Sequence, residues 1–441
     1  MSTNIQKNQI TEGIIWRQLL LFFFPILLGT FFQQLYNTID SVIVGQFVGK
    51  EALAAVGGSS AQIVAFVVGF FTGLSSGASV TIAQFFGAKD SRSANKGLHT
   101  AYAIAAFGGL ILTVSGIILT PFLLEMMNTP ADIVADSAVY LRIYFAGIIF
   151  VLIYNMGSAI LRATGDSKRP LYYLIVCCII NIVLDVLFVI VFHMGVMGVA
   201  VATLIAQAVS AVLVTLKLMR SEGILKLSVK QIRFHGSILK MQLKLGLPTG
   251  FEAILFSITN IAIQSAVNTF GTDTTAAWSA YGKLDAIFWM VSTAFGIAIT
   301  TFVGQNYGAG KMDRVRKSTR VCLLMDFIVS AVLVVFLIAA RFLLFRLFTN
   351  DSHVIEIGCD MLVLITPWYI VYVFIEVIAG ALRGVGNVVV PVAITLLGVC
   401  VLRIAWLAAM LKISPTISAI ILSYPVHGLS QRLHLSSTIY T

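Results

Sequence analysis

Leu161-Arg162-Ala163-Thr164-Gly165-Asp166 lies between apolar runs near residues 133–163 and 169–192; its match, Leu382-Arg383-Gly384-Val385-Gly386-Asn387, lies between runs near 353–382 and 388–411. The two hexapeptides stand 221 residues apart. The same offset joins Gln84-Phe85-Phe86-Gly87-Ala88 to Gln305-Asn306-Tyr307-Gly308-Ala309, and Pro170 to Pro391. Toward the N-terminus the offset drifts by a residue or two: Gly49, Ala54 and Ala55 pair with Gly271, Ala276 and Ala277, and Pro25 with Pro248. Spaced matches with a slow drift mark a duplicated unit that has since lost single residues.

Each copy carries six apolar runs, and a run of about 20 residues crosses the roughly 30 Å of hydrocarbon in a bilayer. The first six lie near 14–45, 52–86, 97–124, 133–163, 169–192 and 196–219. The second six lie near 240–270, 274–306, 319–349, 353–382, 388–411 and 415–426. Six crossings is an even number, so both copies enter the membrane in the same orientation. They are expected to be related by an axis along the membrane normal, with a pathway between them. The fold class is thus an all-α polytopic membrane protein of two six-helix bundles. The expected domains are residues 1–220, a cytoplasmic connection at 221–239, and residues 240–441. The last run is short: it begins at Pro415 and turns polar after Val426. A dozen helical residues rise only about 18 Å, so the twelfth helix is expected to be incomplete, with a divergent tail from about residue 427. A truncated or frame-shifted terminus and a helix ending within the membrane are both open readings.

Composition supports the bilayer. Of 441 residues 59% are hydrophobic and 11% charged, with a mean hydropathy of +0.96, whereas soluble domains carry roughly 25% charged residues. The net charge of +10 raises the question of nucleic acid, and its placement answers it. With the N-terminus inside, 22 of the 29 Lys and Arg fall in inner loops, 4 in outer ones, and Arg142, Lys283 and Arg403 in or beside spans. That is the positive-inside pattern, not a polyanion footprint; it places both termini in the cytoplasm. No nucleic-acid partner is expected. The first dozen residues are polar, and the run from Trp16 to Phe32 continues as a helix rather than ending at a cleavage site. The five cysteines form no CxxC pair and suit neither disulfides nor a metal site.

Charge inside a span is costly and usually functional. Asp40 stands on span 1 with Gln33, Tyr36 and Asn37 at helical spacing, a polar seam. Asp185 stands on span 5, four residues after Asn181, so both share a face. Thr203 on span 6 and Asn155 on span 4 complete an oxygen-rich group. Such a set suits Na⁺, a hard cation; two adjacent carboxylates equally suit a proton. At an offset of 221, Asn181 and Asp185 map to Leu402 and Trp406, so the second copy lacks the pair. A buried network that only joins helices is the alternative. The second copy has its own acids, Glu252, Asp285, Asp326 and Glu376, with Lys283 and Arg403 as candidate partners. This set is read as a substrate cavity or a structural ion-pair network.

Other chemistries fail on missing parts. Gly73-Leu74-Ser75-Ser76-Gly77 fits the G-x-S-x-G pattern, yet a serine nucleophile needs a base, and the six histidines fall in loops or at span edges. The second copy reads Ala294-Phe295-Gly296-Ile297-Ala298, so helix packing accounts for both. No P-loop occurs. No cofactor is expected, the protein is not an enzyme, and an ion gradient of Na⁺ or H⁺ is the remaining energy source.

With Pro25, the Gln33–Asp40 seam, Asp40-Ser41-Val42-Ile43-Val44-Gly45 and the paired Gln-x-x-Gly-Ala and Leu-Arg motifs in view, the sequence resembles the multidrug and toxic compound extrusion (MATE) family. The resemblance covers nearly the whole chain to about residue 426. It implies two six-helix lobes around a V-shaped cavity, and antiport by alternating access of cationic or amphipathic compounds against Na⁺ or H⁺. In the bacterial and archaeal branch similar to the DNA-damage-inducible F protein, it implies a cation site at Asp40, Asn181, Asp185 and Thr203, with Asn155 beside it. Another branch has its site on spans 7 and 10, where Glu252 and Glu376 stand. The expected setting is the inner membrane of a bacterium or archaeon, as a monomer in lipid. A lipid-linked oligosaccharide flippase of the same architecture is the alternative; it calls for a cationic cavity, and the first copy's mid-span charges are acidic.

Overall fold

The computed structural model describes residues 9–413 and 416–424. The chain is built of helices, with no strand among the described residues. In the first half these are α1 (Gln9–Glu12), α2 (Ile15–Phe47), α3 (Lys50–Gly57), α4 (Ser59–Gly87), α5 (Ser91–Met126), α6 (Val134–Ala163), α7 (Lys168–Asp185) and α8 (Gly195–Met219). In the second they are α9 (Gly236–Asn268), α10 (Thr272–Gly308), α11 (Met312–Arg346), α12 (Ser352–Ile365), α13 (Tyr369–Val385), α14 (Val389–Thr395), α15 (Arg403–Ile413) and α16 (Ile417–Ile421). Among the described residues, eleven stretches are long and apolar enough to cross a membrane, α3 with α4, α12 with α13 and α14 with α15 each forming one. Their outward faces carry residues such as Ile118 and Val335, 69% and 68% exposed. Apolar surface on that scale is stable against lipid rather than water. Of the twelfth run, α16 is the described part; the tail from about residue 427 lies outside the described residues.

The duplication is visible in the backbone. Gly165 and Gly386, equivalent in the two copies, both take positive φ (97° and 93°) as α6 and α13 end. Gly49 and Gly271 (125° and 90°) do so where α3 and α10 begin. The left-handed region costs a side chain energy that glycine avoids, so the motif glycines mark the sharp joints between spans. Lys89 (58°) and Gly310 (71°) form a third equivalent pair, the first copy tolerating the strain with a lysine.

Packing divides the chain into two compact units, one of Phe24–Gly250 and one of residues up to 23 with those from 251 onward. The division falls inside α2 and α9, beside Pro25 and Pro248, which lie within those helices. The connection at 221–239 is a division by chain order, a different partition. In the second unit the start of the chain is held by Phe23 stacked on Phe295 with centroids 4.0 Å apart. Arg314 donates to the carbonyls of Ile10 and Gly13, and Lys311 to that of Thr11.

In the first unit, Gly73 and Gly77 of α4 meet Gly250 and Gly246 of α9. A Cβ on Gly73 would lie 2.4 Å from the Gly250 nitrogen, and one on Gly77 2.4 Å from that of Gly246. The G-x-S-x-G stretch is thus a close helix crossing, glycine against glycine, as small-residue packing predicts. The basic connection is clasped onto α5: Asn95 Nδ2 donates to the carbonyls of Ile224 and Lys226. Buried His99 accepts the Ser228 N–H at Nε2 (3.0 Å) while its Nδ1 faces the Asn95 carbonyl (2.8 Å). These two contacts require the neutral Nδ1–H tautomer. All five cysteines are buried and free.

Candidate functional site

The first unit gathers four of the five residues expected to hold a cation. Asp40 comes from α2, Asn181 and Asp185 from the end of α7, and Thr203 from α8. Asp185 is fully buried, Asn181 is 1% exposed, and Asp40 and Thr203 are 7% exposed. The Thr203 hydroxyl donates to Asp40 Oδ2 and accepts from Asn181 Nδ2, both at 3.4 Å. The Asp40 and Asp185 carboxyls are close enough to act on each other directly. Helical spacing produces this: Asn181 and Asp185 share one face of α7. The helix then widens into a π-helical stretch, Val186–Val191, straight after Asp185, a local distortion that recurs at functional sites.

The oxygens define what the site lacks. Asp40 Oδ1, Asn181 Oδ1 and both Asp185 oxygens are buried with no hydrogen-bond donor among the described residues. Buried acceptors are normally paired, and exceptions call for a reason. Two carboxyls together with no cationic side chain are stable once they gain positive charge, as a proton or a bound metal ion. The donor set is all oxygen, which suits a hard cation.

Around this group sit residues that the sequence reading missed. Gln207 lies one turn beyond Thr203 on α8, and its Nε2 donates to the Tyr36 hydroxyl at 3.2 Å. Tyr140 and Tyr144 of α6 stack with centroids 6.2 Å apart, and Tyr140 lies within electrostatic reach of both acids. The four-residue spacings Thr203–Gln207 and Tyr140–Tyr144 carried the signal. Of the seam on α2, Tyr36 is buried (5%), while Gln33 and Asn37 are exposed. Asn155 is half-buried on α6 and makes no hydrogen bond to either acid.

The second unit treats its acids differently. Glu252 of α9 and Glu376 of α13 share Arg383: Nη2 lies 3.5 Å from Glu252 Oε2 and Nη1 3.4 Å from Glu376 Oε1. The partner of these two is the arginine of the Leu-Arg motif rather than Lys283, which is exposed; Arg403 stands nearer Asp285. Asp285 accepts from Tyr281 (3.2 Å), Tyr369 (2.5 Å) and the Trp289 indole (2.9 Å), with the charge of Arg403 within electrostatic reach. Arg403 belongs to the same aromatic group: it donates to the Tyr372 hydroxyl at 3.3 Å and lies 4.1 Å over the Tyr424 ring.

Comparison with known proteins agrees with this architecture. The sequence model of the MatE family matches residues 25–187 and 248–407, one match in each half. The chain is 30% identical over 393 residues to the probable multidrug resistance protein YoeA of Bacillus subtilis, covering 87% of this chain and 84% of that protein. It is 27% identical over 420 residues to the probable multidrug resistance protein NorM of Thermotoga maritima, covering 92% and 88%. Its fold matches a multidrug resistance MATE family transporter of the MOP superfamily, solved in an outward-facing conformation. That match has a TM-score of 0.91 at 21% identity and covers 100% and 99% of the two chains. With a duplicated run of spans, a family match in each half and a relative at 30% identity along most of its length, this chain belongs to the MatE family of multi-pass membrane transporters.

Proposed function

We propose that this protein exports small organic molecules, cationic or amphipathic, as an antiporter driven by entry of H⁺ or Na⁺. Its relatives named for multidrug resistance support the cargo class. The observation that carries the coupling is the pair of buried carboxyls, Asp40 and Asp185, three of whose oxygens, together with Asn181 Oδ1, meet no donor among the described residues. Asp40 and Asp185 hold the cation, Thr203 bridges Asp40 to Asn181, and Asn181 turns its own oxygen into the group. Tyr36, fixed by Gln207, is the neighbouring wall. The working setting is a bacterial or archaeal inner membrane with both termini cytoplasmic, the chain acting as a monomer.

Coupling requires the cation to bind two conformations with different affinity. By linkage, cargo binding must then change cation affinity by the same factor. Asp40 and Asp185 come from different helices, and moving α2 against α7 changes the distance between their charges. The cation favours the conformation that brings them together. Cargo favours the other, and alternating access follows from their exclusion of each other.

The test is efflux of a fluorescent organic cation from proteoliposomes, with Na⁺ and H⁺ gradients imposed separately, for the wild type beside Asp40→Asn. Export driven by one gradient and lost in the variant is the expected result. Full gradient-driven export by Asp40→Asn contradicts the site. No export by the wild type under either gradient contradicts the antiport reading and favours the flippase.

A further inference from the structure

The second unit holds a third mid-helix acid that the Arg383 bridge does not reach. Asp326 of α11 is fully buried. Ser330 donates to its Oδ1 at 3.2 Å, and its Oδ2 has no partner among the described residues. Glu376 is near enough for the two charges to interact. Asp326 thus stands outside the bridge, and a fully buried carboxylate with no cation of its own carries a charge that burial penalises.

The duplication shows that the shared fold does not demand this arrangement. At the 221-residue offset Asp326 replaces Ala105, Ser330 replaces Gly109, Glu376 replaces Asn155 and Gly296 replaces Ser75. The last change makes room for the third, because a Cβ on Gly296 would lie 2.3 Å from Glu376 Oε1. Four differences between the copies converge on one place: two carboxyls, a hydroxyl donor for one, and a cleared space for the other.

We propose that Asp326, beside Glu376 and behind the Arg383 bridge, is an exchangeable proton site in the second unit that excludes metal cations. The site is additional to the cation site of the first unit and does not depend on it. A metal ion needs several oxygens at once. One oxygen of Glu252 and one of Glu376 are held by the Arg383 guanidinium, whose fixed charge repels a second cation. A proton needs a single oxygen, and Asp326 Oδ2 is free to take it.

The ionisable groups around Asp326 are consistent with this. α13 contributes Glu376 and, through it, Arg383. On α11 itself Cys322 lies within reach, its thiol directed to the Phe295 carbonyl of α10 at 4.0 Å. Of the other charges of α10, Asp273 and Lys283 are exposed and Asp285 is engaged by Tyr281, Tyr369 and Trp289. Of the titratable groups of α12, His353, Glu356 and Asp360 are exposed.

Infrared difference titration of the purified, monodisperse protein tests the proposal through the C=O stretch of protonated carboxylic acids. It uses the Asp40→Asn/Asp185→Asn background, so that the first unit contributes nothing and its failure as a cation site leaves the result unaffected. A carboxylic-acid band that appears and disappears with pH, is lost on adding Asp326→Asn, and is unmoved by Na⁺ is expected. In Arg383→Gln the band becomes suppressible by Na⁺. Absence of a titrating band, its survival in Asp326→Asn, or its suppression by Na⁺ with Arg383 in place overturns the proposal. Should Asp326→Asn fail to fold, Ser330→Ala keeps the carboxyl and removes its donor. The band then changes frequency, and an unchanged band overturns the assignment.

Discussion

In the first unit Asp40 and Asp185 act on each other across a group of buried oxygens, with no cationic side chain among them. In the second, Glu252 and Glu376 sit on either side of Arg383. The two units descend from one repeat, so the difference separates what the fold needs from what the chemistry needs. Leu402 and Trp406 stand where the first copy has Asn181 and Asp185, and the second copy folds without that pair. Arg162 and Arg383 are equivalent, yet only Arg383 has two carboxylates beside it. An acid pair with its cation built in is a fixture of the structure; an acid pair without one is a place for an exchangeable ion.

The comparison breaks most visibly if the first pair is neutralised. Asp185→Asn and Asp40→Asn are each expected to cut gradient-driven efflux at least tenfold while the protein remains folded, since a neutral amide relieves rather than creates buried charge. Vesicle efflux beside a thermal unfolding curve checks both halves of that statement. Removing the fixture acts in the opposite sense. Arg383→Gln leaves two half-buried carboxylates without their cation, and losing one partner of an ion pair withdrawn from water is destabilising. A large fall in detergent-solubilised melting temperature is expected there, and an unchanged one would mean that the bridge is not what holds those acids.

Two smaller effects sharpen the picture of the scaffold. Gly77→Leu drives a side chain into the backbone of α9, and overpacking of this kind costs about 1–3 kcal/mol, read as a lower melting temperature than that of the wild type. Asp90 caps α5 by accepting the Ser93 N–H at 3.0 Å. Its bond to Ser93 and the charge of Lys96 hold its carboxyl below the usual carboxylate range. Its folded value being depressed, its contribution is present above the ordinary carboxylate range and fades as pH falls through the lowered value. Asp90→Ala is expected to lower stability modestly, as the loss of an N-cap does, and to remove that part of the acid sensitivity. Unfolding at neutral and acid pH with both proteins reads the difference.

Much of this was legible before any coordinates. The repeat placed the first eleven spans because apolar length and the motif glycines are local features, and Gly49, Gly165 and their partners do take the positive φ that made glycine necessary. Asn181, Asp185, Asp40 and Thr203 were legible because helical spacing and the cost of intramembrane charge both pointed inward. Arg383 as the common partner of Glu252 and Glu376 was not: it comes seven residues after Glu376 on the same helix and reaches Glu252 on another, a contact set by tertiary packing. Asp326 stands close in sequence to Arg320 at the basic end of α11, yet the helix carries it into the core of the unit. Gln207 and Tyr140 were hidden because a lone glutamine or tyrosine in an apolar run carries little weight until its neighbour across the helix interface is known.

The central claim is that the Asp40–Asp185 pair exchanges its cation against cargo, and the most direct measurement runs the coupling backward. Proteoliposomes loaded with a fluorescent organic cation are diluted into cargo-free buffer with no ion gradient, while internal pH and Na⁺ are recorded with dyes. Outward cargo flow that draws H⁺ or Na⁺ inward at a fixed ratio in the wild type, with flow but no ion movement in Asp40→Asn, is the predicted result. The same ion-to-cargo ratio in wild type and variant would contradict the account.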